Sequence, residues 1–261
     1  MTILEKILAD KRKRVEALRG AEPYEAMLRR AGDSPAAASL LRSIRVPGKL
    51  SVIAEMKRKS PSAGTILDHY DPSRLARDYE SCGARGISVL TEEDHFGGAP
   101  RDLELVRKAS SLPVLRKDFI IDPIQVPESK LLGASAALLI IAALTRKGYA
   151  ALLRLCREIE LEALVEVHDE RELEIALAES PDMIGVNNRD LKDLSVDVAA
   201  TFRLAGLIPK GVCAVSESGI ADPETVRDLK RAGVSAALIG ESVLRSPDPS
   251  GTLRRLVEAG E

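Results

Sequence analysis

From about Leu50 to the end of the chain, short apolar runs alternate with longer amphipathic stretches. Eight runs have the make-up of buried parallel strands: Ser51–Glu55, Gly86–Thr91, Pro113–Arg116, Ala136–Ile141, Glu162–Val167, Met183–Val186, Val212–Val215 and Ala236–Ile239. They are near-continuous in Val, Ile, Leu and Ala, as strands covered on both faces must be. Between them, Asp71-Pro72-Ser73 and Asp222-Pro223-Glu224 predict helix starts with proline in the first turn, and Thr145, Asp169 and Asp197 are expected N-caps. Cys82-Gly83-Ala84, Leu132-Gly133-Ala134 and Ala232-Gly233-Val234 predict helix exits, because glycine accepts the left-handed conformation that ends a helix before the chain enters the sheet. Repeated β-α units imply a parallel α/β fold. Eight strands favour a closed (β/α)8 TIM barrel over an open doubly wound sheet, and no G-x-G-x-x-G or P-loop follows the first strand to support the open sheet.

The first 48 residues follow another pattern. Ile3, Leu4, Ile7, Leu8, Val15 and Leu18 recur at helical spacing, with Lys6, Lys11, Arg12, Lys13 and Arg14 expected on a solvated opposite face. Residues 1–48 are too few to bury a core of their own, so they are expected to form an N-terminal helical extension packed on a barrel of residues 49–261.

Composition narrows the function. A net charge of −2 gives no basic excess for a nucleic-acid backbone, and 3% aromatic residues with no Trp leave little for base stacking. Cys82, Cys156 and Cys213 are far apart and odd in number, which predicts buried thiols rather than disulfides, and His69, His95 and His168 lack metal-ligand spacing. No secretory signal or membrane-length apolar run is visible, so a cytoplasmic protein without membrane contact is expected.

The charged residues concentrate at strand ends, where a barrel presents its functional face. Strand one ends Glu55-Met56-Lys57, strand three Arg116-Lys117-Asp118, strand five Val165-Glu166-Val167-His168, strand six Asn187-Asn188-Arg189-Asp190 and strand seven Ser216-Glu217-Ser218-Gly219. Alternation places Glu55 and Lys57 on one face, and puts Glu166 inward if Val165 and Val167 face the helices. A mouth lined by Lys57, Lys117, Glu55, Glu166 and Glu217 brings opposite charges together out of water, which is how acid–base groups are tuned. Ion pairs that merely plug the barrel would use the same residues. Ser218-Gly219 and Gly240-Glu241-Ser242 are small-residue turns at the ends of strands seven and eight, where barrels commonly bind phosphate. Phe96, beside Gly97-Gly98, reads as a mobile apolar lid; His95 as a surface residue, His168 as structural or a support to the site, and Cys213 as core.

At these positions the chain resembles the indole-3-glycerol phosphate synthase family. The matching stretches run in order through the barrel: Glu55-Met56-Lys57-Arg58-Lys59-Ser60-Pro61-Ser62, Arg116-Lys117-Asp118-Phe119, Val165-Glu166-Val167-His168, Asn187-Asn188-Arg189-Asp190, Ser216-Glu217-Ser218-Gly219 and Ile239-Gly240-Glu241-Ser242. The resemblance implies closure of 1-(2-carboxyphenylamino)-1-deoxyribulose 5-phosphate to indole-3-glycerol phosphate, with loss of CO2 and water. By motif position it implies Lys117 as the general acid and Glu166 as the group that takes or relays protons. Lys57, held by Glu55, would anchor anions or serve as a second acid. Asn187 and Ser218 would orient the reacting groups. Ser60, Arg189 and Glu217 would hold polar parts of the substrate, Phe96 and Phe119 its ring, and Gly219, Gly240, Glu241 and Ser242 its phosphate. No cofactor or metal is implied; other tryptophan-pathway enzymes stay open as partners. Two departures from the family pattern, Pro127 and Ser135, bear on local stability. The rival readings are another phosphate-sugar barrel such as phosphoribosylanthranilate isomerase, which leaves Lys57 and Lys117 unexplained, and a non-catalytic barrel, which predicts degraded strand ends.

Overall fold

The computed structural model describes residues 2–62, 64–191 and 193–261. Three helices come first, α1 (Ile3–Ala21), α2 (Tyr24–Asp33) and α3 (Leu40–Ile44). Eight barrel strands follow: β1 (Ser51–Met56), β2 (Gly86–Leu90), β3 (Val114–Lys117), β4 (Ala136–Ile140), β5 (Glu162–Val167), β6 (Met183–Asn187), β7 (Cys213–Glu217) and β8 (Ala236–Ile239). All pair in parallel, each with its neighbours in the chain, and β8 pairs with β1 to close the barrel. Helices α4 (Pro72–Ser81), α5 (Arg101–Ala109), α6 (Gln125–Leu131), α7 (Arg146–Glu158), α8 (Glu170–Leu177), α9 (Ala199–Ala205) and α10 (Pro223–Arg231) lie between strands, and α11 (Glu241–Leu244) and α12 (Pro249–Gly260) follow β8.

Strand alternation divides the core into an inner and an outer layer. Ile53, Leu115, Leu138, Leu164, Met183, Val215 and Leu238 fill the barrel together. Their neighbours Val165, Val167, Leu139 and Ile184 pack outward with Leu152 of α7 and Leu173 of α8. The inward set continues up each strand into polar residues at the C-terminal mouth. Strands β3 and β7 therefore run further than their apolar content predicts: Lys117 pairs with Leu90 and Glu217 with Asn187, still in the ladder. The three glycine exits hold, with φ of +88°, +90° and +82° at Gly83, Gly133 and Gly233.

The N-terminal helices close both ends of the barrel. Leu40 and Ile44 of α3 enter the inner cluster from the floor, and Glu162 at the foot of β5 accepts from Ser39 Oγ and from the Leu41 N–H. Helix α1 crosses the mouth. Here the expectation of a solvated basic face is corrected: Lys11 is only 4% exposed and its Nζ lies 2.6 Å from Asp118. Ile7, Lys11 and Val15 are the buried residues of α1, spaced by four, so Lys11 sits within the apolar stripe rather than opposite it. The neighbouring Arg14 and Asp10 reach Glu93 and His95 in the loop after β2.

Thr145 and Asp169 cap their helices as expected. Asp197 does not: α9 begins one residue later, with Val198 at the N-cap. The Asp197 N–H is held by the Asn188 carbonyl, which keeps this residue in the loop, although its carboxylate still accepts from the Ala199 N–H at 3.0 Å. Pro127 is the third residue of α6, where an N–H would have no acceptor within the helix, so its absence costs little. Ser135 is buried and its hydroxyl accepts from the Val114 N–H at 3.0 Å.

Candidate active site

The inward residues at the strand ends surround a cavity of about 410 Å³ at the mouth. Lys117, from the end of β3, stands at its centre. Its Nζ lies 2.7 Å from Glu166 Oε2 and also donates to Glu217 Oε2. Both carboxylates are almost fully buried, at 1% exposure each. Asn187 Nδ2 donates to the other Glu166 oxygen at 3.2 Å, and Asn187 Oδ1 is fixed by the Arg189 N–H. A second pair stands beside the first: Lys57 Nζ donates to Glu55 Oε1 at 2.8 Å.

One ammonium between two buried carboxylates cannot satisfy both equally. Burial alone would discharge Lys117, but the adjoining Glu166, Glu217 and Glu55 carboxylates outweigh it and hold the lysine well above its ordinary value. Burial likewise raises Glu166, and Lys117 and His168 overcome this, leaving it below the usual carboxylate range. Glu217 goes the other way: burial, with Glu166 and Glu55 nearby, outweighs the attraction of Lys117 and pushes it up to about 7. Its Oε1 has no hydrogen-bond partner. The surroundings thus favour the charged forms of Lys117 and Glu166 and the neutral form of Glu217.

Opposite the charged wall lies an apolar one. Leu138, Ile140 and Leu238 form the cavity floor, and Phe96 and Phe119 face each other at its rim with ring centroids 6.4 Å apart. At the far end, Ser218 and Gly219 adopt φ of +66° and +78°. A side chain on Gly219 would lie 2.6 Å from Val196 Cγ1, so the turn needs glycine for space as well as conformation. The Ser242 hydroxyl donates to the Ile220 carbonyl at 2.8 Å, which ties this turn to the start of α11. The first N–H groups of a helix have no internal acceptor, so those of Glu241 and Ser242 are open to an anion.

Of the fifteen residues singled out in the sequence, the structure brings fourteen to this cavity. Ser60 stands apart, lining a separate 60 Å³ cavity with Ile3, Ile7, Phe96, Phe119 and Arg189 under α1. Another cavity, of about 730 Å³, opens at the opposite end of the barrel between Arg45, Lys49, Arg227, Lys230 and Arg231. It contains no carboxylate to work with those cations, so the chemistry belongs at the mouth.

A family model for indole-3-glycerol phosphate synthase matches residues 4–256. The chain belongs to the indole-3-glycerol phosphate synthase family. It is 49% identical to indole-3-glycerol phosphate synthase 2 of Streptomyces coelicolor over 227 residues, 87% of this chain and 88% of that one. It is 44% identical to the indole-3-glycerol phosphate synthase of Chlorobium luteolum over 252 residues, 96% of each. Among solved structures, 3-hexulose-6-phosphate synthase from Salmonella typhimurium superposes with a TM-score of 0.64 over 80% of this chain and 98% of that one, at 12% identity. That likeness is one of fold.

Seen as a member of this family, the chain carries three contributors to the site that sequence reading overlooked. Gly185 leaves room for Glu217, since a Cβ there would stand 2.1 Å from Glu217 Oε1. Asn188 is buried and donates to the Ser218 carbonyl at 3.0 Å, holding the left-handed turn. Arg245, four residues after Glu241, lies 3.3 Å from its carboxylate and adds a cation at this end of the cavity. The i,i+4 spacing could have revealed Arg245; the other two depend on contacts between distant strands.

Proposed function

We propose that this chain closes the indole ring of 1-(2-carboxyphenylamino)-1-deoxyribulose 5-phosphate, releasing CO2 and water to give indole-3-glycerol phosphate, as a carboxy-lyase of tryptophan biosynthesis. The observation that carries this reading is the Lys117 ammonium held between Glu166 and Glu217 at one wall of a cavity whose other wall is apolar. The substrate phosphate sits at the backbone of Gly219, Gly240, Glu241 and Ser242, with Arg245 nearby. Its carboxyphenyl ring lies against Phe96 and Phe119, and Arg189 and Lys57 receive the carboxylate; Ser60 supports Arg189 from the adjoining cavity.

The substrate carbonyl then points at Lys117. As the aromatic carbon attacks, the carbonyl oxygen becomes strongly basic, and a lysine held above its ordinary value gives up its proton only to such an oxygen. Loss of CO2 follows, and Glu166, oriented by Asn187, removes the ring proton and returns one to the departing hydroxyl. Glu55 holds Lys57 in place, and Glu217 and Ser218 orient the sugar hydroxyls. All these steps use the chain's own side chains. In this reading residues 1–48 are an extension that serves the barrel of residues 49–261, supported by the Lys11–Asp118 pair and by Leu40 and Ile44 in the barrel floor. Among the described residues no helix is long and apolar enough to cross a membrane, and we place the enzyme in the cytoplasm.

Incubating the purified chain with the carboxyphenylamino-deoxyribulose phosphate and following indole fluorescence tests the reading. Turnover with stoichiometric CO2 is expected; a chain that binds the substrate but forms no indole overturns it.

A further inference from the structure

The proposed ring closure, on which the following inference rests, consumes a proton. The substrate carboxylate leaves as CO2 and a hydroxyl leaves as water, so each turnover takes one H+ from solvent. Glu166 and Glu217 are buried, Lys117 is 13% exposed at the cavity wall, and a ring bound in that cavity covers them, so a supply line is needed. Just past the end of the strand that carries Glu166, His168 Nε2 lies 3.5 Å from Glu166 Oε1 and is buried without a hydrogen-bond partner. Its other nitrogen, Nδ1, lies 2.9 Å from Glu172 Oε2 on α8, whose side chain is 19% exposed. Glu172 Oε2 also accepts from the His168 N–H at 2.9 Å, so the imidazole is fixed at its outer end and free at its inner one.

We propose that His168 is a proton relay that recharges Lys117, through Glu166, from the surface after each turnover. Nδ1 of the neutral ring takes a proton from water as Nε2 passes its own to Glu166 Oε1, Glu166 Oε2 hands one on to Lys117 Nζ, and proton exchange with solvent resets the ring. The carboxylates around the ring favour this: burial opposes the imidazolium, but Glu172, Glu166 and Glu217 outweigh it. His168 acts through Glu166 and touches no substrate.

A relay leaves a kinetic signature that a structural role does not. In His168→Asn the resting protein still carries its proton, so the first turnover proceeds near the native rate. Later turnovers wait for protons and fall roughly a hundredfold, the lower end of the range for losing acid–base assistance. Added imidazole restores them. In Glu172→Gln the imidazole stays but loses a carboxylate that favours its charge. The pH at which steady-state turnover falls on the alkaline side then moves down. Rapid-mixing indole fluorescence with the carboxyphenylamino-deoxyribulose phosphate reads both variants, and unaltered product binding certifies the folded site. First and later turnovers slowed alike, or neither slowed, with imidazole inert and the Glu172→Gln profile unmoved, overturns the relay. Absence of turnover in the native chain overturns the ring closure instead.

Discussion

Replacing Lys11 by Met removes a charge from α1 while keeping the length of the side chain. Lys11 and Asp118 form a pair with side-chain exposures of 4% and 1%, so the carboxylate left behind cannot turn to water. Removing one partner of a buried ion pair costs about 3–5 kcal/mol. Asp118 keeps Arg116 at 3.1 Å, Thr91 Oγ1 at 2.7 Å and the Phe119 N–H at 2.8 Å, which argues for the lower end. For a protein of this size about 3 kcal/mol corresponds to a fall in Tm of about 6–12 °C. Circular dichroism melts at pH 7 read it, and the cycle with Asp118→Asn isolates the pair from the packing of the lysine stem. The sign with pH is fixed as well. Burial raises the Asp118 carboxyl, but Arg116 and Lys11 outweigh it and hold it well below the usual range. Stability from a depressed carboxyl is fully present above its unfolded value, roughly 3.9, and is lost as pH falls through the folded one. The gap between native and variant is therefore widest near neutrality and narrows below about pH 4. An unchanged Tm at pH 7, or a gap that widens in acid, refutes the reasoning.

Glu217→Gln mimics the protonated acid. Because the folded Glu217 is pushed up to about 7, its contribution to stability falls as pH rises from the ordinary carboxylate value of 4.5 to that point. The variant's Tm is expected to gain on the native protein across this window and to hold its advantage above it, while kcat drops; a gap independent of pH contradicts the assignment. Gly219→Ala forces a side chain onto a left-handed backbone and against Val196. Strain of about 1–3 kcal/mol predicts product affinity roughly tenfold or more weaker by calorimetry, with a dephosphorylated analogue little affected. Gly185→Ala pushes Glu217 out of its place, so kcat should fall while product binding persists; retained kcat removes Glu217 from the reaction.

Much of this architecture was legible because the inner and outer faces of a buried strand both leave apolar signatures, so eight strands could be located within a residue or two. The two larger errors have a common origin. Strands β3 and β7 extend through Lys117 and Glu217, and α1 buries Lys11, because each charge meets its opposite across the fold. Apolar periodicity sees none of these partners. Lys11 was nevertheless readable by geometry, since it lies midway between Ile7 and Val15 at steps of four. The candidate site was legible for a related reason: alternation carries inward residues up to the mouth, so Glu55, Lys117, Glu166, Asn187 and Glu217 had to converge. The room that Gly185 gives Glu217, and the grip of Asn188 on Ser218, appear only when strands are paired in register.

Ring closure by a lysine acid, with the phosphate held elsewhere, is tested most directly by Lys117→Ala. Turnover of the carboxyphenylamino-deoxyribulose phosphate and binding of indole-3-glycerol phosphate are measured on the same preparation. Loss of a general acid that also stabilises the developing oxyanion predicts a kcat lower by about a thousandfold, with product affinity largely kept. A variant that turns over at the native rate, or that loses product binding and turnover together, contradicts it.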